Sequence, residues 1–419
     1  MKNVAFYTLG CKVNQYETEA VSELFEDAGY KTVPYSDKAD IYIINSCSVT
    51  AMSDRKSRQM IRRAKKTNPD AVVAVMGCYS QTAPDEVLDI DGVNLVLGTK
   101  DRASIVRLTN ELKPSDKINA VTSVKDNHTF EELTVRRCLD HTRAYIKIQD
   151  GCSQFCSYCI IPYARGPIRS RREEDIISEV KTLAEAGFKE VILTGIHAAS
   201  YGKDLGCTSL GQLINKIDSC DGIRRIRLSS IEPMTLDKEF IEAIRGAKKL
   251  CPHFHISLQS GCDRTLKAMN RKYDTAAFFA VTERLRRYFP DCALTTDLIT
   301  GFPGETEADQ AQTLAFIEKC AFSDMHIFPY SRRPGTPADR MPDQCDRAVK
   351  ARRAHAAQAV CDRMHANFLA QSVGQTLPVL FETEENGVCT GHSDTYLLVS
   401  VSGEKLRGLV KNVSISGVE

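Results

Sequence analysis

The chain has 419 residues, of which 42% are hydrophobic and 26% charged, a composition that is ordinary for globular proteins and excludes a disordered or fibrous chain. Its formal net charge is +1, so nucleic-acid binding cannot be inferred from the total charge. Cysteine is abundant, with 16 residues, although a chain of this length can bury a large core without disulfide bonds.

The sequence also indicates a compartment. No run approaches the roughly 18 apolar residues that span a bilayer, and the first residues lack the apolar core of a secretory signal peptide. We therefore expect a cytoplasmic protein with no membrane partner. In that reducing environment, cysteines serve as metal ligands, catalytic thiols or core residues more often than as disulfides.

The first hundred residues alternate between strand and helix patterns, which predicts a parallel sheet with helices on its faces. The predicted helices cover residues 16–28 and 50–67. The predicted strands are Val4–Leu9, Ile41–Ile44, Ala71–Met76 and Val93–Leu97. Residues 110–140 are polar without a clear period and are predicted to form a linker or a loosely packed connection.

A second alternating region of about six βα units predicts an open, partial (β/α)6 barrel instead of a complete eight-unit barrel. Its predicted helices cover residues 174–186, 236–247, 276–289 and 307–319, and a long charged helix follows over 346–370. The predicted strands are Ala144–Ile148, Val191–Thr194, Arg225–Leu228, His255–Leu258, Leu294–Ile299 and Met325–Pro329.

The last stretch contains short apolar runs separated by turn dipeptides, which predicts a small all-β barrel. The predicted strands are Gly374–Phe381, Tyr396–Val401 and Leu406–Val410, with turns at Asn386-Gly387 and Ser402-Gly403. The fold class is therefore α/β. The expected domains are residues 1–115, a linker over 116–138, a barrel region over 139–371 and a β-module over 372–419.

Three closely spaced cysteines follow the first strand of the barrel region: Cys152, Cys156 and Cys159. A structural zinc site normally has four ligands, whereas three thiolates on an iron–sulfur cluster leave one iron open. The C-x3-C-x2-C spacing resembles the motif of the radical S-adenosylmethionine family. This resemblance implies a 4Fe-4S cluster that binds S-adenosylmethionine at its open iron and generates a 5′-deoxyadenosyl radical. The alternatives are a zinc knuckle with a distant fourth ligand, or three core cysteines.

Three further cysteines each follow a predicted strand of the first domain: Cys11, Cys47 and Cys78. The carboxyl ends of parallel strands lie along one edge of a sheet, so these thiols can converge there. Gly10 and Gly77 precede two of them and allow tight turns. The alternative is three unrelated buried cysteines, since free cysteine is often buried.

The runs around these cysteines resemble the first domain of the tRNA and ribosomal-protein methylthiotransferases, a radical S-adenosylmethionine subgroup. They are Thr8-Leu-Gly-Cys11-Lys-Val-Asn14, Asn45-Ser-Cys47-Ser-Val-Thr50 and Met76-Gly-Cys78-Tyr, and the similarity extends over essentially the whole chain. The resemblance implies a second 4Fe-4S cluster on Cys11, Cys47 and Cys78 that carries the sulfur to be inserted. It also implies a C-terminal TRAM domain, an RNA-binding barrel, and S-adenosylmethionine as both radical source and methyl donor.

The run from Leu9 to Glu17 is most similar to the branch that acts on N6-threonylcarbamoyladenosine next to the anticodon of tRNA. We therefore expect methylthiolation of C2 of that nucleoside, with the tRNA anticodon stem-loop as partner. The alternatives are isopentenyladenosine in tRNA, an aspartate of a ribosomal protein and, in another class, a non-catalytic zinc-bearing RNA-binding protein. The sequence leaves the sulfur source and the electron donor open.

Other family-like residues fall at strand ends of the predicted barrel, where a βα barrel places its active site. We expect them to hold the nucleoside and methionine parts of the bound molecules: Gly195, Glu232, Gln259, Asp297 and Gly301. The alternative for each is ordinary turn chemistry. His197 is equally consistent with a loop histidine, and His253 and His255 with packing residues.

RNA binding has to come from local charge, and the helix after Cys47 provides it. Within that helix only Asp54 opposes a basic cluster that can neutralise phosphates, comprising Arg55, Lys56, Arg58, Arg62, Arg63, Lys65 and Lys66. The alternative is a solvated helix face. Weaker basic candidates are Arg136, Arg137, Arg332 and Arg333. The remaining ten cysteines, Cys138 and Cys262 among them, have no metal-ligand spacing and are predicted to be core residues or inert thiols.

Overall fold

The computed structural model of the protein describes residues 1–136 and 142–418. Arg137, Cys138 and Glu419 lie outside the described residues. The described chain divides into two units by its tertiary contacts. Unit 1 comprises residues 1–136, 147–172 and 331–336, and unit 2 comprises 142–146, 173–330 and 337–418. Within these ranges, no helix has the length and hydropathy needed to cross a bilayer.

Unit 1 is built on a six-stranded parallel sheet with the strand order β2-β1-β3-β4-β5-β6. The strands are β1 (Asn3–Thr8), β2 (Lys31–Val33), β3 (Ile41–Ser46), β4 (Val72–Gly77), β5 (Leu95–Val96) and β6 (Ile118–Asn119). The helices are α1 (Lys12–Asp27), α2 (Ala51–Thr67), α3 (Cys78–Thr82), α4 (Pro84–Leu88) and α5 (Ile105–Glu111). The predicted parallel α/β sheet is confirmed.

The core of unit 1 covers both faces of this sheet, and every residue of β3 and β4 is buried. On one face Val73 packs with Ile61 of α2, and on the other Ala74 packs with Phe25 of α1. Strands buried on both faces read as continuous apolar runs, which is why these strands were recognisable in the sequence. Helix α2 begins after Thr50, whose hydroxyl accepts a hydrogen bond from the Ser53 N–H.

The sheet edge beyond β4 differs from the prediction. The expected strand Val93–Leu97 is reduced to Leu95–Val96. The reason is Asn94, whose side chain accepts from the Val73 N–H and donates to the carbonyl of Pro114, so it holds the loop that leads to β6. The strands β2 and β6 were not predicted, and β6 lies in the segment expected to be a linker.

The chain after residue 142 enters β7 (Arg143–Asp150), whose first four residues belong to unit 2 and last four to unit 1. Unit 1 continues with α6 (Ile161–Arg165) and β8 (Arg169–Ser170). The end of β7 pairs with β8 in antiparallel fashion, Gln149 opposite Ser170. This pairing closes the loop that carries Cys152, Cys156 and Cys159.

Unit 2 continues the βα alternation. Its helices are α7 (Glu173–Glu185), α8 (Leu210–Asp218), α9 (Lys238–Ile244), α10 (Asp263–Ala268), α11 (Thr275–Tyr288), α12 (Glu307–Cys320) and α13 (Arg347–Ser372). Its parallel strands are β9 (Glu190–Gly195), β10 (Arg225–Leu228), β11 (His253–Gln259), β12 (Ala293–Thr300) and β13 (Asp324–Pro329). Parallel bridges Ile226–Leu250 and Ile231–Ile256 link the β9–β10 pair to the β11–β12–β13 group. With β7, the neighbour of β9 in the sheet order, there are six strands, and the predicted partial (β/α)6 barrel is confirmed.

The C-terminal module is a four-stranded antiparallel sheet with the order β16-β15-β14-β17. Its strands are β14 (Thr376–Glu385), β15 (Val388–Ser393), β16 (Leu398–Ser402) and β17 (Val410–Ser414). Asn386-Gly387 forms the predicted hairpin turn between β14 and β15. The predicted strand Leu406–Val410 is wrong, because residues 406–409 form a turn and the strand begins at Val410. Strand β15 was missed because its centre, Thr390-Gly391-His392, is not apolar.

The module is joined to the barrel within unit 2 through a buried charge cluster. Glu190, the first residue of β9, is wholly buried and pairs with Arg225 and Arg227 of β10. The two guanidinium groups also donate to the carbonyl oxygen of Ser393 at the end of β15. The arginines thus satisfy both a buried carboxylate and strand carbonyls of the module, which fixes the module at the amino ends of the barrel strands.

Candidate functional site

The first triad, Cys11, Cys47 and Cys78, occupies the carboxyl ends of β1, β3 and β4, which are neighbours in the sheet of unit 1. Cys11 precedes α1 and is exposed, whereas Cys47 and Cys78 are buried. The Cys11 and Cys47 loops lie close together, since a Cβ atom on Gly10 would be 3.0 Å from Cys47 Sγ, and Cys78 follows β4, the neighbour of β3 in the sheet. The structure therefore brings these residues together as the parallel-sheet rule predicts.

Two glycines bring the loops of the first triad close together. Gly10 has a φ of +103°, and a Cβ atom on it would lie 2.8 Å from Cys47 Cβ and 3.0 Å from Cys47 Sγ. Gly77 has a φ of +102°, and its Cβ would lie 2.5 Å from Asn45 Oδ1. Only glycine adopts this backbone without strain and without filling the space between the cysteine loops.

Asn14 ties the backbone beside two of these cysteines. Its Nδ2 donates to the carbonyl of Leu9 at 2.8 Å and to the carbonyl of Ser46 at 3.1 Å. Its Oδ1 lies 3.7 Å from Cys11 Sγ. One buried amide therefore sets the positions of the Cys11 and Cys47 loops relative to each other.

Burial holds two thiols of the first triad, those of Cys47 and Cys78, in their neutral form. Burial raises the pKa of Cys78 to about 12, although the nearby Arg165 guanidinium works in the opposite direction. Burial also raises the pKa of Cys47. A bound cationic centre would stabilise the thiolate forms of Cys47 and Cys78, because metal ligation lowers thiol pKa values.

The donor set fits an iron–sulfur cluster better than a single ion. Within residues 1–136 and 142–418, no group of three or more His, Cys, Asp and Glu side chains is arranged to hold one metal ion. Thiolates on separate corners of a cluster stand further apart than the ligands of one zinc ion. Three cysteines at neighbouring strand ends, in a described chain that lacks a single-ion arrangement, agree with a three-thiolate cluster site.

The second triad, Cys152, Cys156 and Cys159, lies in the loop between β7 and α6, also in unit 1. Cys156 is buried, while Cys152 and Cys159 are half-buried. The Cys152 N–H donates to the carbonyl of Gly166, and the Cys159 N–H donates to the carbonyl of Cys156, so the loop is folded back on itself. Phe155 has a positive φ of 49°, which is strained for a non-glycine residue and is typical of functional loops.

A buried ion cluster that was not predicted from the sequence lies beside both triads in unit 1. Its members are Glu17, Arg102, Lys147, Asp150, Arg165 and Arg169. Burial works to raise the pKa of Glu17, but Arg102, Arg165 and Lys147 outweigh it and lower that pKa to about 2. The available signal was Lys147 and Gln149, polar residues alternating with apolar ones in a strand otherwise expected to be buried.

The five residues predicted to hold S-adenosylmethionine or nucleoside lie in unit 2, at or near the carboxyl ends of the barrel strands. Gly195 ends β9, Gln259 ends β11, and Gly301 follows β12 directly, whereas Asp297 lies inside β12 and Glu232 follows β10 after a short loop. Gln259 has a φ of +69°, a strained backbone for a non-glycine residue. The placement agrees with an active-site edge.

Two of these candidates, Glu232 and Asp297, are carboxylates with a histidine nearby. Glu232 accepts a hydrogen bond from Arg271 at 3.0 Å and lies 3.7 Å from His197 Nε2. Burial works to raise the pKa of Glu232, but His197 and Arg271 hold it below its ordinary value, so it is a carboxylate. Asp297 lies 3.1 Å from His255 Nε2. These contacts give His197 and His255 carboxylate partners.

The other candidates of unit 2 are more closely packed. Gly301 lies under the side chain of Lys350, where an added Cβ would be 2.4 Å from Lys350 Cγ. His253 hydrogen-bonds Thr295 and stacks on Tyr396, which is the packing role expected for it. Cys262 donates to Asp309 Oδ1, which Arg264 also contacts, so it belongs to a helix-capping cluster.

The basic helix expected to bind RNA is α2. Arg58 donates to Tyr79 and Glu86, and Lys65 donates to the carbonyls of Pro69 and Ala71, so these two are engaged within unit 1. The other five residues are exposed and follow an i, i+1, i+7, i+8, i+11 pattern along one face. We call them the basic stripe: Arg55, Lys56, Arg62, Arg63 and Lys66.

Comparison with known proteins agrees with this geometry. The Radical SAM superfamily matches residues 146–317, and the Uncharacterized protein family UPF0004 matches residues 3–98. The chain is 43% identical to the threonylcarbamoyladenosine tRNA methylthiotransferase MtaB of Bacillus subtilis, over 99% of this chain and 94% of that protein. It is 34% identical to a tRNA-2-methylthio-N(6)-dimethylallyladenosine synthase of Thermoanaerobacter pseudethanolicus, over 99% of this chain and 91% of that protein.

A solved structure shares the fold. It is the radical S-adenosylmethionine methyltransferase TsrM of Kitasatospora setae, with a TM-score of 0.60 and 14% identity, over 93% of this chain and 80% of that chain. Partial barrel, cysteine loop and matched superfamily together define a radical S-adenosylmethionine enzyme, whose cofactors include a 4Fe-4S cluster and S-adenosylmethionine. The chain belongs to the radical S-adenosylmethionine methylthiotransferase family, whose tRNA-modifying members it matches over nearly its full length. The zinc-bearing, non-catalytic alternative is therefore wrong.

Proposed function

We propose that this protein methylthiolates C2 of N6-threonylcarbamoyladenosine next to the anticodon of tRNA. The observation that carries the proposal is the 43% identity to a threonylcarbamoyladenosine tRNA methylthiotransferase over 99% of the chain. The isopentenyladenosine alternative has weaker support, since the related dimethylallyladenosine synthase is 34% identical. The ribosomal-protein aspartate has no support among these relatives.

We further propose two clusters with different duties. The second triad, Cys152, Cys156 and Cys159, holds the cluster that supplies the electron for cleaving S-adenosylmethionine, and the first triad, Cys11, Cys47 and Cys78, holds the cluster that presents the sulfur. The support is the neighbourhood of three thiols at the ends of β1, β3 and β4. Two sites are needed because activating an aromatic C–H bond and delivering sulfur are separate chemical demands.

The chain's own residues prepare the first site. Gly10 and Gly77 allow the cysteine loops to approach each other closely, and Asn14 fixes the backbone of the Cys11 and Cys47 loops. In unit 2, Glu232 is held as a carboxylate by Arg271 and His197 and is available to accept hydrogen bonds from a bound nucleoside or methionine group. Asp297, Gly195, Gln259 and Gly301 complete the proposed binding set.

The tRNA partner is proposed to bind the basic stripe. The stripe lies on the helix that begins directly after the Cys47 loop, so phosphates bound there bring the substrate to the first triad. The anticodon stem-loop is the expected contact because it contains the modified nucleoside. The sulfur source and electron donor are separate partners, and the cytoplasm, where tRNA is modified, is the expected compartment. The domain bounds 1–115, 116–138, 139–371 and 372–419 remain predictions.

The experiment that tests the function is nucleoside mass spectrometry on tRNA from a deletion strain and from strains complemented with variants. Deletion is expected to remove only the methylthio form of threonylcarbamoyladenosine, and the unchanged gene to restore it. Loss of the methylthio form of isopentenyladenosine instead would contradict the substrate assignment.

Two cysteine variants test the division of labour on purified, reconstituted protein. Cys152→Ala is expected to abolish 5′-deoxyadenosine formation, whereas Cys47→Ala is expected to retain it and to lose sulfur insertion. Cys207→Ala, which changes an exposed cysteine of unit 2, is the matched control and should leave both activities unchanged. An iron content that neither Cys152→Ala nor Cys47→Ala reduces would refute the two-cluster proposal.

A further inference from the structure

Arg165 connects the two cysteine triads through a single guanidinium group. It ends α6, six residues after Cys159, and its side chain is completely buried. Its Nε–H donates to Cys78 Sγ at 3.4 Å. Arginine is seldom fully buried in proteins. A buried arginine whose N–H group donates to a cysteine sulfur therefore requires an explanation beyond packing.

The other donors of Arg165 reach the loops of the remaining cysteines of the first triad. One terminal nitrogen donates to Asn14 Oδ1 at 2.8 Å. Asn14 in turn donates to Leu9 O, two residues before Cys11, and to Ser46 O, directly before Cys47. Arg165 therefore acts on Cys78 directly and on the other two loops through one amide.

Arg165 is itself held on the side of the second triad. Its guanidinium donates to Glu17 Oε1 at 2.5 Å and to Asp150 Oδ1 at 3.3 Å, and Asp150 lies two residues before Cys152. Gly166, the next residue, accepts the Cys152 N–H through its carbonyl. The same short segment thus fixes one loop of each triad.

The charge balance also favours an anionic neighbour. Three carboxylates, Glu17, Asp150 and Glu131, face four buried cations, which leaves one positive charge. The cations are Arg102, Lys147, Arg165 and Arg169. A cluster with three thiolate ligands is anionic, and Arg165 is the member of this ion cluster that contacts a cysteine sulfur.

We infer that Arg165 is a positioning residue for the first cluster: its Nε–H bond to Cys78 Sγ and its link through Asn14 set the reduction potential and the retention of that cluster. The inference rests on the proposed function, because it assumes a cluster on the first triad. Hydrogen bonds to ligating sulfurs and nearby positive charge raise cluster potentials, and outer ligand contacts typically change metal affinity by about 10- to 100-fold.

The test isolates the first cluster in the full-length chain. Cys152, Cys156 and Cys159 are all changed to Ala, the protein is reconstituted anaerobically, and about four irons per chain are expected to remain. Two variants are then made in this background. Arg165→Lys keeps the positive charge but loses the guanidinium hydrogen bonds to Cys78, Asn14 and Glu17. Arg102→Lys is the control. Arg102 is an equally buried arginine of the same ion cluster and pairs with Glu17 and Glu131.

The readouts are the midpoint potential of the first cluster, from a titration followed by electron paramagnetic resonance, and the rate of iron loss to a chelator. Arg165→Lys is expected to shift the potential to more negative values and to speed iron loss about tenfold. Arg102→Lys is expected to leave the potential unchanged, even where both variants lower thermal stability.

A potential that does not move in Arg165→Lys overturns the inference, and so does an equal shift in Arg102→Lys, which would indicate a general effect of the ion cluster. Glu17→Gln is a second variant for the case that Arg165→Lys does not fold. It weakens the ion pair that holds Arg165 but keeps the contact of Arg165 with Cys78. A smaller negative shift of the midpoint potential is therefore expected. Absence of iron from the triple alanine background before any change at Arg165 would instead refute the proposed cluster on the first triad.

Discussion

Tyr396 stacks on His253, with ring centroids 4.9 Å apart and ring planes 8° from parallel. The tyrosine belongs to the turn before β16 and the histidine begins β11, so the contact joins the C-terminal module to the barrel inside unit 2. Arg227 belongs to the buried strand β10, and its guanidinium carbon lies 4.9 Å from the centre of the Tyr396 ring. The module is thus anchored by an aromatic ring seated among histidine and arginine side chains.

Replacing this anchor should loosen the module. Tyr396→Ala removes the stacking and cation–π contacts and is expected to lower the free energy of unfolding by about 2 kcal/mol. Urea unfolding followed by circular dichroism measures the change. The control is Leu398→Ala, since Leu398 is 63% exposed, and it should change stability much less. Equal effects of the two variants would contradict the anchoring role.

Gly10 should be essential for the first cluster site. Gly10→Ala places a Cβ against Cys47 and forces an unfavourable left-handed backbone, so the chain is expected to lose about half its reconstituted iron, the part held by the first triad. Iron analysis measures this loss. Gly29→Ala is the matched control, because Gly29 also has a positive φ of 84° but no atom within 4 Å of the added Cβ. It should cost only backbone strain, of about 1 kcal/mol, and retain full iron.

The basic stripe should contribute to tRNA affinity in a salt-dependent way. Changing Arg62 and Arg63 together to Glu is expected to weaken binding and to reduce the slope of log affinity against log salt by about two, one for each lost phosphate contact. Fluorescence anisotropy at several salt concentrations measures the slope. Arg107→Glu, an exposed change on α5 of the same unit, should leave the slope near its original value. An unaltered slope in the double variant would exclude the stripe from the RNA interface.

Glu190 should make stability depend on pH. Burial works to raise its pKa, but Arg227 and Arg225 hold the folded-state pKa below the ordinary value. Its contribution is therefore present above the unfolded pKa of about 4.3 and is lost as pH falls through the lower folded-state value. Glu190→Gln, which leaves two buried arginines without a carboxylate, is expected to cost about 3 kcal/mol at neutral pH.

The comparison is made by urea unfolding of the iron-free chain from pH 7 downward, with Glu283→Gln, a change at an exposed residue of α11, as the control. The free-energy difference between the unchanged chain and Glu190→Gln should narrow below about pH 4, because a protonated Glu190 approaches the glutamine variant in charge. A difference that stays constant over the whole range would show that the carboxylate charge is not involved.

Glu232 should bind S-adenosylmethionine or the substrate nucleoside. Glu232→Gln removes the charge that Arg271 and His197 hold in place, and about tenfold weaker binding of S-adenosylmethionine is expected for loss of one charged hydrogen bond. Isothermal titration calorimetry on the reconstituted protein measures it. Unchanged affinity for S-adenosylmethionine, together with an unchanged KM for tRNA, would remove Glu232 from the binding set.

The sequence predicted the strands whose position is determined by burial alone. Strands buried on both faces contain continuous apolar runs, such as Ile41–Ile44 in β3 and Val72–Met76 in β4, so their places and the cysteines that follow them could be predicted. Strand β15 and the true start of β17 were missed because their stability comes from pairing with β14, not from a local apolar pattern.

In the candidate site too, some features follow from local sequence and others depend on the tertiary fold. Cysteine spacing and strand order predicted which thiols are neighbours, but Glu17 and Arg165 are 148 positions apart and nothing local reveals that they meet. A buried ion pair requires partners that only the tertiary fold supplies. The seven basic residues of α2 could be found from sequence, yet only contacts reveal that Arg58 and Lys65 are already engaged.

The order in which unit 1 is completed matters during synthesis on the ribosome. Glu17 and Arg102 belong to the first stretch of chain, but Lys147, Asp150 and Arg165 emerge later, and Arg333, which pairs with Asp54 at the start of α2, emerges last. The nascent amino-terminal segment therefore lacks several partners of its buried charges until most of the chain has left the exit tunnel. Iron loading of the first triad is consequently expected to be a late, post-translational event that follows closure of the unit by residues 331–336.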